Sequence, residues 1–343
     1  MMKAVERVLG HVAALPQQRA SNDGDATATL AALREPIPEQ GTPYDQLLDL
    51  LFGPLAQMGL NCGSAGALSY IQGGGLIHSV VADLITGGIN PYVAYSGPGP
   101  GFAQLEQTVI RWFADLIGLP AEAGGVLLSG GSLANFSAIV TARCAHLGED
   151  FRDAVLYASD QVHHSIPKGA MLAGLPSGSV ALVASNARGE IDLTALTERI
   201  ARDRDSGRRP FLIVASAGTT NTGAVDDLHA LADIAADQKL WLHVDGAYGG
   251  LFAFTARGRE RLRGIERADS VVLNPHKTLF LPYGTGCLLV REAEALRRAH
   301  LLHADYIHAA VERSEALGSA VNFADLAPEL SRDHRGLRIW LPM

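Results

Sequence analysis

A chain of 343 residues with 48% hydrophobic and 19% charged residues has material for about two domains and a large core, which excludes a disordered or fibrous protein. A net charge of -8 without a basic run argues against a nucleic-acid partner. Cys62, Cys144 and Cys287 show no paired spacing, so neither a disulfide framework nor a zinc knuckle can be built from them, which is the pattern of a reduced, cytoplasmic protein.

Residues 2–15 show helical patterning but no long uncharged core or cleavage pattern, so no signal peptide is expected, and no stretch has the length of a membrane span. Residues 21–25 and the Pro36, Pro38, Pro43 cluster read as loop. Helical periodicity returns over residues 44–58, with Leu47, Leu48, Leu51, Phe52, Leu55 and Met58 on one apolar face. Residues 1–60 therefore form an appendage whose apolar face serves its own core or a dimer contact. Residues 61–101 are rich in glycine, as in connectors or in places where backbone approaches a ligand. Residues 104–117 predict an amphipathic helix with Leu105, Val109, Phe113 and Leu116 inward, stopped by Gly118.

Strands and helices then alternate. The expected strands are residues 126–128, 154–158, 180–183, 211–215, 241–244, 271–273 and 287–290, with helical runs at 134–145, 193–205 and 228–236. This alternation predicts an α/β fold, a mostly parallel seven-stranded sheet with helices on both faces.

Four of the strand ends carry chemistry. Residues 125–135 run from a strand through Gly130 and Gly131 into a helix, where free N–H groups and the positive helix end suit an anion and Ser132 adds a hydroxyl. The turn lacks the lysine and spacing of a nucleotide P-loop, so a phosphate is a better match than a nucleoside triphosphate. His163 follows the strand 154–158, either as a satisfied structural residue or as an imidazole able to stack on a ring and move a proton. Asp245 ends the strand 241–244, where it either caps a helix or holds a pyridine nitrogen protonated, with Ala247 small enough to let the ring lie against the backbone. The run Val271-Val272-Leu273 stops at Asn274-Pro275 and delivers His276 and Lys277 into a turn, at the kind of strand end where open sheets bind ligands. A lysine there is either a solvated surface residue or, on a mostly apolar loop, a desolvated one whose lowered pKa leaves some amine free to attack a carbonyl.

Together these stretches resemble the group II pyridoxal-phosphate-dependent amino-acid decarboxylases, the family of aromatic-amino-acid, glutamate and diaminobutyrate decarboxylases, over residues 65–341 and in the same motif order. The resemblance implies a large domain of the PLP-dependent transferase-like fold, fold type I. It makes Lys277 the Schiff-base lysine, Asp245 the pyridinium partner and His163 the stacking histidine. Gly131, Ser132 and Asn274 fall where the family holds the phosphate, with Gly130 and His276 beside them. Thr220 falls at a cofactor-contacting threonine, and Gln72, His78 and Tyr95 fall on segments that border the substrate pocket.

The implied reaction is conversion of an L-amino acid to its amine and CO2 with pyridoxal 5'-phosphate, by a homodimeric carboxy-lyase. Residues 1–60 would then be a dimerisation segment, 61–300 the PLP-binding domain, and 301–343 a mobile loop and the start of a smaller domain that the family continues. Thr278 and Pro282-Tyr283-Gly284 depart from the aromatic-decarboxylase pattern and point away from an aromatic substrate. Aligned through residues 330–332, the family's loop tyrosine falls at Phe323, which cannot donate a proton. That replacement keeps two alternatives open, oxidative deamination to an aldehyde and a weakly active PLP-binding scaffold.

Four clusters have bland readings. His300, His303 and His308 are too loosely spaced for a metal site. Asp226-Asp227 starts a helix, residues 199–209 are a solvated charge run, and Arg332, Arg335 and Arg338 are surface or interface charges.

Overall fold

The computed structural model describes residues 2–71, 75–302, 312–314, 316 and 321–343. It divides into two units, Met1–Gly75 and Leu76–Met343.

The first unit contains helices α1 (Met2–Ala14), α2 (Thr27–Ala32) and α3 (Tyr44–Leu50), with Ser21–Asn22 pairing antiparallel to Gly59–Leu60. The apolar run 44–58 is not one helix. It widens after Leu50, and Gly53 leaves helical geometry at φ -87, ψ -106, because Pro54 donates no N–H and crowds the residue before it. No residue of α1 or α2 is buried, and in α3 only Leu48 is.

The second unit is built on seven strands, β1 (Gly124–Leu128), β2 (Ala154–Ser159), β3 (Val180–Val183), β4 (Arg209–Ser216), β5 (Trp241–Gly246), β6 (Ser270–Leu273) and β7 (Gly286–Val290). They lie in the order β1-β7-β6-β5-β4-β2-β3, parallel from β3 through to β6, with β7 antiparallel to both its neighbours. Every expected strand is present. Central strands such as β2 and β7 are buried along their whole length, because helices cover the sheet. These helices include α4 (Ile77–Ile89), α5 (Pro100–Leu116), α6 (Gly131–His146), α7 (Ser165–Leu172), α8 (Leu193–Asp205) and α9 (Leu228–Gln238). Val109 and Phe113 of α5 are fully buried as expected, and Gly118 ends the segment at φ 77.

The charged residues correct several bland readings. Asp227 is the cap of α9, accepting from the Ala230 amide at 3.0 Å. Asp226 does something else: its buried carboxylate accepts the amides of Ile191 and Ser216, both at 2.7 Å, and so ties the segment before α8 to the end of β4. In the run 199–209, Asp203 is buried and accepts from the Tyr157 hydroxyl at 3.1 Å and Arg199 Nε at 3.0 Å.

Arg332, Arg335 and Arg338 are not surface charges. The Arg332 and Glu106 side chains are both 0% exposed, with Arg332 Nη1 donating to Glu106 Oε1 at 2.6 Å and Nη2 to the Leu127 carbonyl at 2.7 Å. Glu106 Oε2 also accepts the amides of Arg335 and Gly336, each at 3.2 Å. The Arg335 side chain pairs with Glu329 and Asp333, and that of Arg338 with Asp83 and Asp333. The physical reason lies on α5, whose inward face carries a carboxylate that burial would leave uncompensated without a guanidinium.

Candidate active site

Parallel strands end side by side, and the pairing of β5 with β6 sets Asp245 opposite Val272 and Gly246 opposite Leu273. The chains leaving these two ends therefore start about 4.8 Å apart. After Leu273 the chain enters the single turn α10 (Pro275–Thr278), capped at Asn274 and started by a proline that has no N–H to leave unpaired. Lys277 is carried on this turn.

Lys277 is half-buried, and burial holds its amine below the usual lysine range while the nearby Asp245 charge opposes the shift. His163, on the loop before α7, is lowered by partial burial, raised by Asp245 and lowered again by Lys277. The charge of Asp245 thus reaches both His163 and Lys277, and that of Lys277 reaches His163. Asp245 itself is 9% exposed; its Oδ1 accepts the Ala247 amide at 3.1 Å and its Oδ2 accepts Asn135 Nδ2 at 2.9 Å.

The glycine turn before α6 is built for close approach. Gly130 stands at φ 155, ψ 179, a region essentially reserved for glycine. A Cβ on Gly131 would lie 2.8 Å from Asn274 Nδ2, and one on Gly286 would lie 2.6 Å from Gly130 Cα. Ser132 is exposed in the first turn of α6, while the Asn274 side chain is buried with no partner for its Oδ1. His276 is buried beside the turn; its Nδ1 accepts the Thr285 amide at 3.3 Å, and burial lowers its pKa to about 4. An anion seated here meets a helix N-terminus and a hydroxyl, with the Asn274 side-chain N–H2 available as a further donor.

The remaining expected residues spread around this centre. Ala247 is buried two positions past Asp245, and Thr220 is exposed in the turn after β4. His78 is exposed in the first turn of α4, whose start is tied to the lysine loop by the Leu76 amide donating to the Phe280 carbonyl at 2.8 Å. Tyr95 is buried and packs with Ala94 and Ala324. Gln72, His303 and His308 lie outside the described residues.

Two residues at the site escaped the sequence reading. Asn135 and His243 are both buried, and Asn135 links Asp245 to His243 and Ser165. The available signal was a polar side chain inside an otherwise apolar or alanine-rich run, at Trp241-Leu242-His243-Val244 and Leu133-Ala134-Asn135.

The residues present fit pyridoxal phosphate: an anion cradle at the glycine turn, an amine of lowered pKa for an aldehyde, and a carboxylate for a ring nitrogen. Sequence comparison agrees, because the pyridoxal-dependent decarboxylase conserved domain matches residues 59–343. The chain belongs to the pyridoxal-dependent decarboxylase family. It is 35% identical over 339 residues to the aromatic-L-amino-acid decarboxylase of Bacillus atrophaeus, covering 99% of this chain and 70% of that protein. It is 31% identical over 347 residues to the L-2,4-diaminobutyrate decarboxylase of Rhizobium meliloti, covering 100% of this chain and 68% of the relative. Among solved structures, Oryza sativa TDC with PLP and tryptamine superposes with a TM-score of 0.89 at 26% identity, over 99% of this chain and 72% of the other. The seven-stranded sheet is therefore the fold type I large domain of this decarboxylase family, with pyridoxal phosphate as cofactor.

Phe323 has a packing explanation within this family fold. It is fully buried in the short turn Phe323–Asp325, with the Arg332 guanidinium 4.9 Å from its ring centroid. A tyrosine here would bring a hydroxyl into the core, so the phenyl ring answers to its surroundings.

Proposed function

We propose that this chain decarboxylates an L-amino acid to the amine and CO2, with Lys277, Asp245 and His163 as its catalytic residues. The observation that carries this reading is the pairing of β5 with β6, which brings Asp245 and the turn carrying Lys277 to neighbouring strand ends, with the Asp245 charge acting on the Lys277 amine. Pyridoxal phosphate, when bound, supplies an aldehyde that condenses with amines and a ring that accepts the electron pair released when a carboxylate departs as CO2. Asp245 would keep a proton on the ring nitrogen by placing negative charge beside it. Lys277, with its pKa lowered by burial, holds a share of free amine ready to attack a carbonyl. His163 would cover the ring and could move a proton, while Gly130, Gly131, Ser132, Asn274 and His276 would hold the phosphate, with Thr220 and Ala247 beside the cofactor.

Homodimer formation is part of this proposal. Met2, Leu9, Leu47 and Leu51 of the first unit are each at least 40% exposed, an apolar surface that a second copy would cover, consistent with a dimerisation role for residues 1–60. The three unpaired cysteines support a cytoplasmic setting. Phe323 is fully buried and carries no proton to donate, so oxidative deamination to an aldehyde stays as the second reading.

An amino-acid panel containing aromatic, acidic and diamino substrates, read by mass detection of products, tests the reading. Amine and CO2 are expected from the wild type, and neither from Lys277→Ala. Aldehyde with peroxide would replace decarboxylation by oxidative deamination, and no product across the panel would leave a PLP-binding scaffold.

A further inference from the structure

Below the site runs a buried polar chain bracketed by two groups that hydrogen-bond in only one sense. At one end the Trp241 indole can only donate, and its Nε1 does so to Ser270 Oγ at 2.8 Å. At the other end the Asp245 carboxylate can only accept, and its Oδ2 takes Asn135 Nδ2 at 2.9 Å. Turning the Asn135 amide over would set oxygen against oxygen. Asn135 Oδ1 therefore faces His243 Nε2 at 3.0 Å, and that nitrogen must carry a proton.

The neutral His243 ring then has a bare Nδ1. It lies 2.8 Å from Ser270 Oγ, whose own proton is free to be donated because Trp241 already supplies that oxygen with one. The carboxylate end fixes the direction of every bond for a neutral ring, and the Trp241 donor at the other end is compatible with it, since the Ser270 hydroxyl can accept from the indole while donating to His243. Burial agrees, since His243 is 0% exposed and its pKa is held at about 4, which keeps the ring neutral near pH 7.

The second amide hydrogen of Asn135 goes to Ser165 Oγ at 2.8 Å. The Ser165 hydroxyl proton is left for His163 Nδ1 at 2.7 Å, which also accepts the Ser165 amide at 3.2 Å. His163 Nδ1 is thus an acceptor twice over, and its proton sits on Nε2.

We propose that Asn135 and His243 are positioning residues that hold the Asp245 carboxylate in place and set His163 as its Nε2–H tautomer, so that His163 presents a donor to the site. The proposal rests on the roles given above to Asp245 and His163. It also explains why a histidine stands inside an apolar strand: buried polar groups are tolerated where every partner is supplied, and here each donor and acceptor in the chain has one.

Long-range 1H–15N correlation spectra of histidine-labelled protein test the bond directions, without cofactor and with pyridoxal phosphate. Resonances are assigned from His163→Gln and His243→Gln. Both rings are expected as Nε2–H tautomers in the wild type; a proton on Nδ1 of either ring overturns the proposal. His243→Gln keeps a donor toward Asn135 Oδ1 and is expected to bind pyridoxal phosphate close to wild type, whereas His243→Leu is expected to weaken binding about tenfold to a hundredfold. A folded His243→Leu protein with wild-type affinity overturns the positioning role even if the tautomers are as expected. Should His243→Leu fail to fold, the wild-type spectra, assigned from the two glutamine variants, still decide the bond directions, and the affinity of His243→Gln decides whether a donor toward Asn135 suffices. Failure of the wild type to bind the cofactor would strike at the functional reading instead, and would leave the tautomers to be judged separately.

Discussion

Glu106→Ala is the sharpest test of how the chain following the sheet is held to it. The wild-type carboxylate is 0% exposed, pairs with the equally buried Arg332 at 2.6 Å and accepts the amides of Arg335 and Gly336. Truncation leaves a buried guanidinium with the Leu127 carbonyl as its remaining acceptor and strips two amides of their partner. Removing one member of a buried pair costs about 3–5 kcal/mol, and two orphaned amides add about 1–3 kcal/mol each at most. Because the effects share one carboxylate they do not sum, and the expected loss is about 4 kcal/mol. With a urea dependence of roughly 3 kcal/mol per molar, the midpoint falls by more than about 1 M. Urea melts of wild type and variant at neutral pH measure this. The double variant Glu106→Leu/Arg332→Met removes both charges with little change in volume and is expected to recover the share of the loss due to the uncompensated guanidinium, while the two amides stay orphaned. A single variant within about 1 kcal/mol of wild type, or a double no better than the single, refutes the reasoning.

Two further perturbations probe the cradle and the buried imidazoles. Gly131→Ala sets a methyl 2.8 Å from Asn274 Nδ2, and overpacking of about 1–3 kcal/mol should weaken pyridoxal phosphate binding by about tenfold to a hundredfold; unchanged affinity in a fluorescence titration would remove the turn from the site. His243 and His276 both fall from 6.5 to about 4 through burial, so between those values the unfolded chain binds more protons than the folded one. Stability therefore rises with pH across that window and is lost as pH falls through it, by up to about 1.4 kcal/mol per pH unit for each ring. Urea melts of His243→Gln through the same window should show a slope shallower by about one proton, and an unaltered slope contradicts the assignment.

Much of this was legible because a covered parallel sheet writes itself as unbroken apolar runs, and the proposed site residues follow where those runs stop. Asp245, Asn274 and Lys277 could be placed from local sequence alone. The buried polar links could not. His243 meets Asn135 across 108 positions and Arg332 meets Glu106 across 226, so nothing near either member marks the other. Arg332 looked like a surface charge because arginines usually are exposed, and only the carboxylate on the inward face of α5 reverses that expectation. The run 44–58 failed for the opposite reason: the local signal was present in Gly53-Pro54, but apolar periodicity outweighed it.

The central claim is that Lys277 is the residue that carries the cofactor. Reduction of the cofactor-loaded protein with sodium borohydride, followed by digestion and mass mapping, locates the attached pyridoxyl group directly. The account predicts that group on Lys277, with the labelled peptide missing from Lys277→Ala. A wild-type protein labelled instead at Lys3, Lys168 or Lys239, or a Lys277→Ala protein labelled to the wild-type extent, would contradict it.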